Sequence, residues 1–353
     1  MKIAIAGGGT GGHIYPGIAV AEEIVRRGGE AFFIGTERGL ESKIVPHSGF
    51  PFRIVAAAPM KRGQWAQNAA SLLNNFRGFL EARNILRAER PAAVLGTGGY
   101  VSFAACSAAR ALGLPLALHE QNAIPGLANR VLARFASVVM TAWSGVKTGT
   151  AAKVVGLPVR ADFAKMNRAE ARARLNLPPD ARVLLVFGGS RGAASLNRAV
   201  SSFARKLENI HLIWATGADH YDAMLSTLGE LPSNLRLFPY LDDMPAAFHA
   251  ADLIVARSGA MTLAELAACG RPSILVPFPH ATGDHQTANA RAFVDAGAAA
   301  MIRDANIEKE LYAALMELMA DCPRRVAMAE RARSQARPDA AIRIVDILEE
   351  LVR

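Results

Sequence analysis

Three glycine-rich stretches carry the residues with the clearest chemical potential: AGGGTGGH near the start of the chain, GTGGY at Gly96–Tyr100, and GGSRG at Gly188–Gly192. Each follows an apolar run that reads as a β-strand. Glycine frees backbone N–H groups to converge on one anion, and a helix starting beyond the loop adds the positive end of its dipole. All three loops therefore suit phosphate oxygens. Gly7, Gly9 and Gly12 also satisfy the G-x-G-x-x-G spacing of a dinucleotide-binding turn, with Glu37 in range of a ribose. A dehydrogenase leaves the other loops unexplained, so an NAD fingerprint is the weaker reading. His13 stands directly behind the first loop, where an imidazole titrating near neutral pH suits general-base work. The structural alternative is a histidine bonded to its own loop.

Two later segments add polar groups suited to a sugar. ARSGAMTLAELAACG runs from a strand into a helix, with Ser258 positioned to cap it and Glu265 inside its first turns. A carboxylate there either complements the helix dipole or holds two ribose hydroxyls. PFPHATGDHQTANA places His285, Gln286 and Asn289 on a loop entering a helix. Side-chain amides offer both donors and acceptors, as sugar hydroxyls require.

These loops need a scaffold, and the pattern of strands supplies one. KIAIA leads into the first glycine loop and a helical pattern from Pro16 to Arg27; AFFIG, RPAAVLG, LPLALHE, SVVMTAW and KVVGLPVR follow. After Arg160 the plan restarts with a strand at Arg182–Phe187, then HLIWATG, LRLFPY, ADLIVA and PSILVPF. Strands alternating with helices predict an α/β protein with two Rossmann-like, doubly wound parallel-sheet domains. The expected division is residues 1–158, then 159–337, with 338–353 a final helix packing back on the first domain. Open α/β sheets bind ligands at the carboxyl ends of their strands, so two facing sheets would line one cleft.

Taken together and in order, GGTGGH, TGGYVS, LHEQN, GLPVR, GGSRGAASLN, RSGAMTLAE and GDHQTANA resemble the MurG family of N-acetylglucosaminyltransferases, over nearly the whole chain. That family has GT-B architecture and converts lipid I to lipid II in bacterial cell-wall synthesis. The resemblance implies UDP-GlcNAc as donor and undecaprenyl-linked lipid I as acceptor. On the donor side it implies Arg160, Ser190, Arg191, Asn197, Leu241, Arg257, Glu265, His285 and Gln286. Leu241 would flank the uracil, Glu265 hold the ribose, and Gln286 contact the sugar. On the acceptor and diphosphate side it implies Thr10, Gly11, Gly12, Gly98, Gly99, Tyr100, His119 and Asn129. His13, Glu120 and Asn122 form the implied catalytic group, with His13 the first choice of base and Glu120 its competitor or orienting partner. Two positions depart from the family pattern: Arg191 stands where glutamine is usual, and His285 where some members have glutamine.

The implied reaction moves GlcNAc to the 4-hydroxyl of a muramyl unit with inversion. UDP departure is assigned to loop N–H groups, Ser190 and Arg257. No D-x-D occurs in the chain, so neither a metal nor any other cofactor is implied. An alternative within the same fold is another UDP-sugar enzyme, an epimerase or a transferase to a soluble acceptor. A non-catalytic scaffold would be expected to lose His13, Glu265 or Gln286.

Bulk properties agree with two soluble-type cores. The 353 residues are 51% hydrophobic, with a formal charge of +9 and a mean hydropathy of +0.17. Cys106, Cys269 and Cys322 are too scattered for a disulfide framework and read as inert buried thiols in a reducing compartment. Neither an export signal nor a membrane span is read. Between Arg90 and Arg160 the only acidic residue is Glu120, which predicts an anionic partner. No nucleic-acid-binding module is present. In NAASLLNNFRGFLEARNILRAER, Leu72, Leu73, Phe76 and Phe79 recur at helical spacing among Lys61, Arg62, Arg77 and Arg83. That pattern fits either a core face or an interfacial helix on an anionic membrane. With the resemblance, it implies a peripheral protein at the cytoplasmic face of the cell membrane, partnered by cell-wall synthesis and division proteins.

Overall fold

The computed structural model describes residues 1–59, 65–189 and 192–353. Two compact units result: Met1–Val159 with Arg337–Arg353, and Arg160–Ala336.

In the first unit the strands are β1 (Lys2–Gly7), β2 (Glu30–Gly35), β3 (Phe52–Ile54), β4 (Ala93–Gly98), β5 (Leu116–Glu120), β6 (Val138–Thr141) and β7 (Lys153–Val154). They form one sheet in the order β3-β2-β1-β4-β5-β6-β7, and every pairing is parallel. The chain winds outward from β1 to β3 and then returns to β4 on the other side. The carboxyl ends of β1 and β4 therefore flank the switch point, where loops diverge and leave room for a ligand. Ile3, Ala4, Ile5 and Ala6 are all fully buried, because helices cover both faces of the sheet.

The helices of this unit are α1 (Gly11–Arg26), α2 (Glu41–His47), α3 (Trp65–Glu89), α4 (Tyr100–Ala111) and α5 (Leu127–Leu132). One apolar cluster joins Ile14, Ile18 and Ile24 of α1 to Ile3, Ile5 and Leu95 of the sheet. The opposite cluster joins Ala82 and Leu86 of α3, Ala105 and Ala109 of α4, and Leu132 of α5 to Ala4, Phe32 and Val94. The helix predicted from Pro16 starts instead at Gly11, with Pro16 inside it. Burial of Ile14 against the sheet extends the helix backward, and Pro16 removes only one amide donor. His13 consequently sits in the first turn of α1, not in a loop.

The last helix, Ala340–Leu351, packs against α1. Its Ile344, Val345 and Leu348 are buried in the α1 cluster, and Arg27 pairs with Asp346 at 2.7 Å and Glu349 at 3.3 Å.

In the second unit β8 (Val183–Phe187), β9 (His211–Ala215), β10 (Leu235–Phe238), β11 (Leu253–Ala256), β12 (Ser273–Leu275) and β13 (Ala299–Met301) form a parallel sheet, ordered β10-β9-β8-β11-β12-β13. Its switch point lies between β8 and β11. Trp214, Leu196, Val255 and Leu315 are fully buried in its core. Cys106 and Cys269 are buried, and burial pushes both thiols up to about 12. Cys322 is exposed, correcting the expectation of three buried thiols. Among the described residues no helix is long and apolar enough to cross a membrane.

Leu348→Ala is expected to destabilise the first unit by about 2–5 kcal/mol, since it leaves a cavity in a fully buried cluster. Denaturant unfolding checks this; a loss below the range for surface substitutions would show that the last helix adds little to that core.

Candidate active site

At the switch point of the first unit, the loop Gly7–Thr10 is shaped from two sides. The Glu41 carboxylate opens α2 and is fully buried. It accepts hydrogen bonds from Gly9 N at 2.9 Å, Thr36 N at 3.1 Å and Thr36 Oγ1 at 2.7 Å. One loop amide is thus already committed to the protein's own carboxylate and is not free for an external phosphate. Sequence reasoning passed over Glu41, because a glutamate at a helix start is ordinary and its link to Gly9 spans 32 residues. From the other side, Thr97 presses on Gly7 so closely that a β-carbon there would lie 1.9 Å from the threonine hydroxyl oxygen. Glycine is obligatory at that contact.

Thr97 also governs His13. Its hydroxyl donates to the His13 backbone carbonyl at 2.7 Å, while its own carbonyl lies 3.0 Å from His13 Nδ1. Gln121 Oε1 lies 3.0 Å from the same ring nitrogen. Gly98, at φ +101°, is where the second glycine loop passes the imidazole; a β-carbon there would meet Nδ1 at 2.9 Å. Gly98 therefore makes room for His13, whatever further part it plays at a phosphate. Thr10 is exposed at the N-cap of α1 and its side chain makes no capping bond. The first amides of α1, from Gly11 and Gly12, thus lie where an external acceptor is favoured. Tyr100 begins α4 behind Gly99 and lies close to Gly9.

The LHEQN segment ends β5, and its four polar side chains differ in their commitments. His119 is fully buried, with Nε2 2.8 Å from the Gly156 carbonyl. Burial holds its pKa below the usual histidine value, against opposing contributions from the Gly156 hydrogen bond and Glu120. Glu120 is also buried. Its carboxylate accepts from Asn122 N (2.9 Å), Asn122 Nδ2 (3.3 Å), Gly126 N (3.0 Å) and Asn129 Nδ2 (2.8 Å). Four donors on one carboxylate organise the loop into α5. The group that contacts the His13 ring is Gln121, which sequence reasoning did not single out; Glu120 instead ties down Asn122 and Asn129. The buried Asn129 Oδ1 has no hydrogen-bond partner among the described residues.

In the second unit Ser190 and Arg191 lie outside the described residues, as do Lys61 and Arg62 of the first. Arg257 follows β11 and is buried. Its Nη1 pairs with Asp304 at 2.5 Å and reaches the Val276 and Pro277 carbonyls at 3.2 Å each. Nη2 donates to Ser195 Oγ at 2.8 Å, and Ser195 in turn donates to Asp304 at 2.7 Å. Among the described residues, only Nε of this side chain remains a buried donor without a partner. The Arg257 charge is therefore paired internally with Asp304, with the neutral Ser195 hydroxyl bridging the two, and the sequence marked neither residue. Asn197 is likewise committed: it donates to the Thr216 carbonyl at 2.8 Å and accepts from Trp214 Nε1 at 3.1 Å. Leu241 is buried just beyond β10.

Glu265 contrasts with these. It lies on the helix Ala260–Cys269, keeps a partly exposed side, and has no ion-pair partner among the described residues. Desolvation pushes its carboxyl up to about 8, with the exposed Arg160 opposing the shift. A carboxylate raised this far lacks the donors its charged form needs, which two ribose hydroxyls would supply. Ser258 does not cap this helix: Gly259 is the N-cap. The Ser258 hydroxyl instead donates to the Gln286 carbonyl at 2.8 Å. Asn289 Nδ2 donates to the Ser258 carbonyl at 3.1 Å, so two consecutive loops are stitched together. Gln286 Oε1 accepts from Phe278 N at 2.9 Å, which directs the amide group away from that contact. His285 begins its helix, and Nδ1 lies 2.9 Å from the Thr282 carbonyl. Among the described residues no group of three or more His, Cys, Asp and Glu side chains is arranged to hold a metal ion.

Comparison with known proteins adds the chemistry. Residues 3–141 match the glycosyltransferase family 28 N-terminal domain and residues 183–344 its C-terminal domain. A Desulforudis audaxviator protein named UDP-N-acetylglucosamine–N-acetylmuramyl-(pentapeptide) pyrophosphoryl-undecaprenol N-acetylglucosamine transferase is 44% identical, covering 99% of this chain and 98% of its own. A relative of the same name from Acetivibrio thermocellus is 38% identical, covering 100% and 99%. Among solved structures, MurG of Acinetobacter baumannii superimposes with a TM-score of 0.82 at 29% identity, over 99% of both chains. The kitacinnamycin glycotransferase, at 20% identity and a TM-score of 0.76, shares the fold.

Glu265→Gln has an expected stability signature. The folded-state pKa lies above the ordinary value of 4.5, at about 8, so ionisation is penalised in the folded chain. That penalty is absent below about pH 4.5 and grows until about pH 8. The thermal midpoint of Glu265→Gln, relative to the parent, is therefore expected to rise between pH 5 and pH 8 and level off above. A constant difference across a melting series would show that Glu265 is not desolvated.

Proposed function

Because the chain belongs to the MurG family of glycosyltransferases, we propose that it transfers N-acetylglucosamine from UDP-GlcNAc to the 4-hydroxyl of the N-acetylmuramyl unit of lipid I, forming lipid II. The named relatives match along the full chain, which supports the substrates. What carries the mechanism is the hydrogen-bond pattern at His13. Its Nδ1 faces two oxygen acceptors, the Thr97 carbonyl and Gln121 Oε1. Nδ1 must therefore bear the proton, which leaves Nε2 with a lone pair able to take a proton from the acceptor hydroxyl.

The remaining roles divide between the units. The first amides of α1 receive the acceptor diphosphate, with Thr10 beside them. Glu120 acts as the organiser of the Asn122–Asn129 loop and not as the base, since four donors already hold its carboxylate. In the second unit Glu265 receives the ribose hydroxyls, Gln286 offers its amide to the sugar, and the Leu241 segment flanks the uracil. Arg257 stabilises the leaving diphosphate through its unpaired Nε and through the position it gives Ser195. No resident metal is assigned a part in this scheme.

The protein works as a peripheral protein at an anionic membrane surface. Leu72, Leu73 and Phe76 of α3 are 56%, 70% and 59% exposed. Phe79 instead packs partly against the core, stacked on Phe76 with ring centroids 6.3 Å apart. α4 packs on both α3 and α5, and the exposed Phe103, Leu127 and Phe135 continue the apolar character along α4, α5 and the turn beyond. Arg110, Arg130 and Arg134 are exposed there, while Glu120, the one acid of residues 91–159, is buried. Apolar side chains among exposed arginines suit anionic headgroups.

A transfer assay with labelled UDP-GlcNAc and a lipid I analogue is expected to give product in the presence of EDTA. Absence of product overturns the assignment, and loss with EDTA overturns only the metal-free scheme. His13→Ala is expected to lower kcat by about 10²–10⁴-fold with the donor KM nearly unchanged; a change mainly in KM would make His13 a binding residue.

Co-sedimentation with anionic vesicles tests the surface. Leu73→Ser with Phe76→Ser is expected to release the protein without changing its melting temperature. Retained binding in that double variant would return α3 to an ordinary amphipathic helix.

A further inference from the structure

Gln121 sits between two histidines, and every atom of its amide has a determined role. One amide end lies 2.6 Å from the Thr97 carbonyl oxygen, so that end is the NH₂ group. The same nitrogen lies 3.2 Å from His119 Nδ1. His119 Nε2 faces the Gly156 carbonyl at 2.8 Å and is therefore its protonated nitrogen, leaving Nδ1 as acceptor. The amide orientation satisfies both contacts at once. The opposite end, Oε1, is then obliged to face His13 Nδ1, at 3.0 Å. Gln121 is itself held, since its backbone carbonyl accepts from Trp143 Nε1 at 2.8 Å. Flipping the amide would set its oxygen against a carbonyl and its NH₂ against a protonated imidazole nitrogen.

We propose that Gln121, fixed by His119, is a positioning residue that locks His13 in the Nδ1-protonated tautomer and so keeps Nε2 available as the base. This inference rests on the assignment of His13 as base. His119 becomes a part of the same relay, not a contact to the acceptor: it is fully buried and its two nitrogens are both engaged. The titratable groups on the elements packed around His13 include His119 and Glu120 from β5, Tyr100, Cys106 and Arg110 from α4, and Lys43, His47 and Glu41 from α2, of which Glu41 reaches Gly9. Glu120 is saturated by four donors and Glu41 by three. Gln121 is thus the one side chain among the described residues whose amide discriminates between the two imidazole nitrogens. The Thr97 carbonyl assists from the backbone but cannot be removed by substitution.

The test uses the full-length chain with Gln121→Leu and the near-isosteric Gln121→Glu. Nitrogen-15 NMR of histidine-labelled protein reports the tautomer, the His13 signal being assigned by its loss in His13→Gln. The parent is expected to show the Nδ1-protonated form, and Gln121→Leu a mixture of both tautomers. Its kcat is expected to fall about 10–100-fold, a part of the usual general-base contribution, with the UDP-GlcNAc KM within about twofold. Gln121→Glu places a carboxylate at the imidazole, so the acidic limb of its pH–kcat profile is expected to move by about one unit or more. Where Gln121→Leu fails to fold, Gln121→Glu alone decides through its pH profile and tautomer. An unchanged tautomer and an unshifted profile overturn the inference, as does an equal loss in kcat and donor binding. If His13→Ala leaves kcat intact, the base assignment falls instead, while the NMR result still judges the tautomer lock.

Discussion

The carbonyl and hydroxyl of Thr97 are the hinge of the first unit's chemistry. The residue lies next to the end of β4 at the switch point of the sheet, where the register of β1 against β4 shifts. Its carbonyl receives both the His13 ring and the Gln121 amide, and its hydroxyl receives no proton but gives one to the His13 backbone. A single strand end thereby sets the position of the first turn of α1, the orientation of an imidazole, and the polarity of an amide. Gly7 must lack a side chain for that hydroxyl to fit, and Gly98 must lack one for the imidazole to lie against the next turn. The two glycine loops, which look like independent phosphate cradles, are parts of one packed assembly around His13.

Around this hinge, the polar residues fall into two physical groups. Some are saturated: Glu41, Glu120, His119 and Asn197 spend their hydrogen bonds inside the fold. Buried polar groups must be paired, and pairing makes them rigid. Others are left underused among the described residues: Glu265 with its raised pKa, and Arg257 with one unpaired nitrogen. The folded chain bears the cost of that underuse, which ligand hydroxyls and phosphate oxygens would relieve. Hydrogen-bond accounting thus separates rigid organisers from unsatisfied binders where residue type does not, as Glu41 and Glu120 differ from Glu265.

The charge distribution follows a similar logic at larger scale. The stretch from residue 91 to residue 159 has one acidic side chain, and folding hides it beneath four donors. The arginines of α4, α5 and the following turn are left facing solvent with exposed leucine and phenylalanine side chains between them. Phe79 shows the limit of periodicity: it recurs at helical spacing with Phe76, yet it packs against the core cluster while Phe76 stays out.

Much of the architecture was legible in the chain because parallel strands buried on both faces must be continuous apolar runs, and three such runs, at β1, β4 and β8, lead into glycine-rich loops. The loops that follow could be located for the same reason. The start of α1 could not, since Pro16 looks like a helix opening until Ile14 is seen buried beneath the sheet. Nor could local pattern assign work within LHEQN, where Glu120 has the more reactive side chain and Gln121 makes the decisive contact. Residue types and their spacing determined by themselves that glycine-rich and polar loops stand at the ends of two sheets, because backbone geometry and apolar periodicity are local properties. Only the tertiary structure decided which of those polar groups are spent and which are open, because that depends on partners tens of residues away, such as Glu41 on Gly9 and Gln121 on His13.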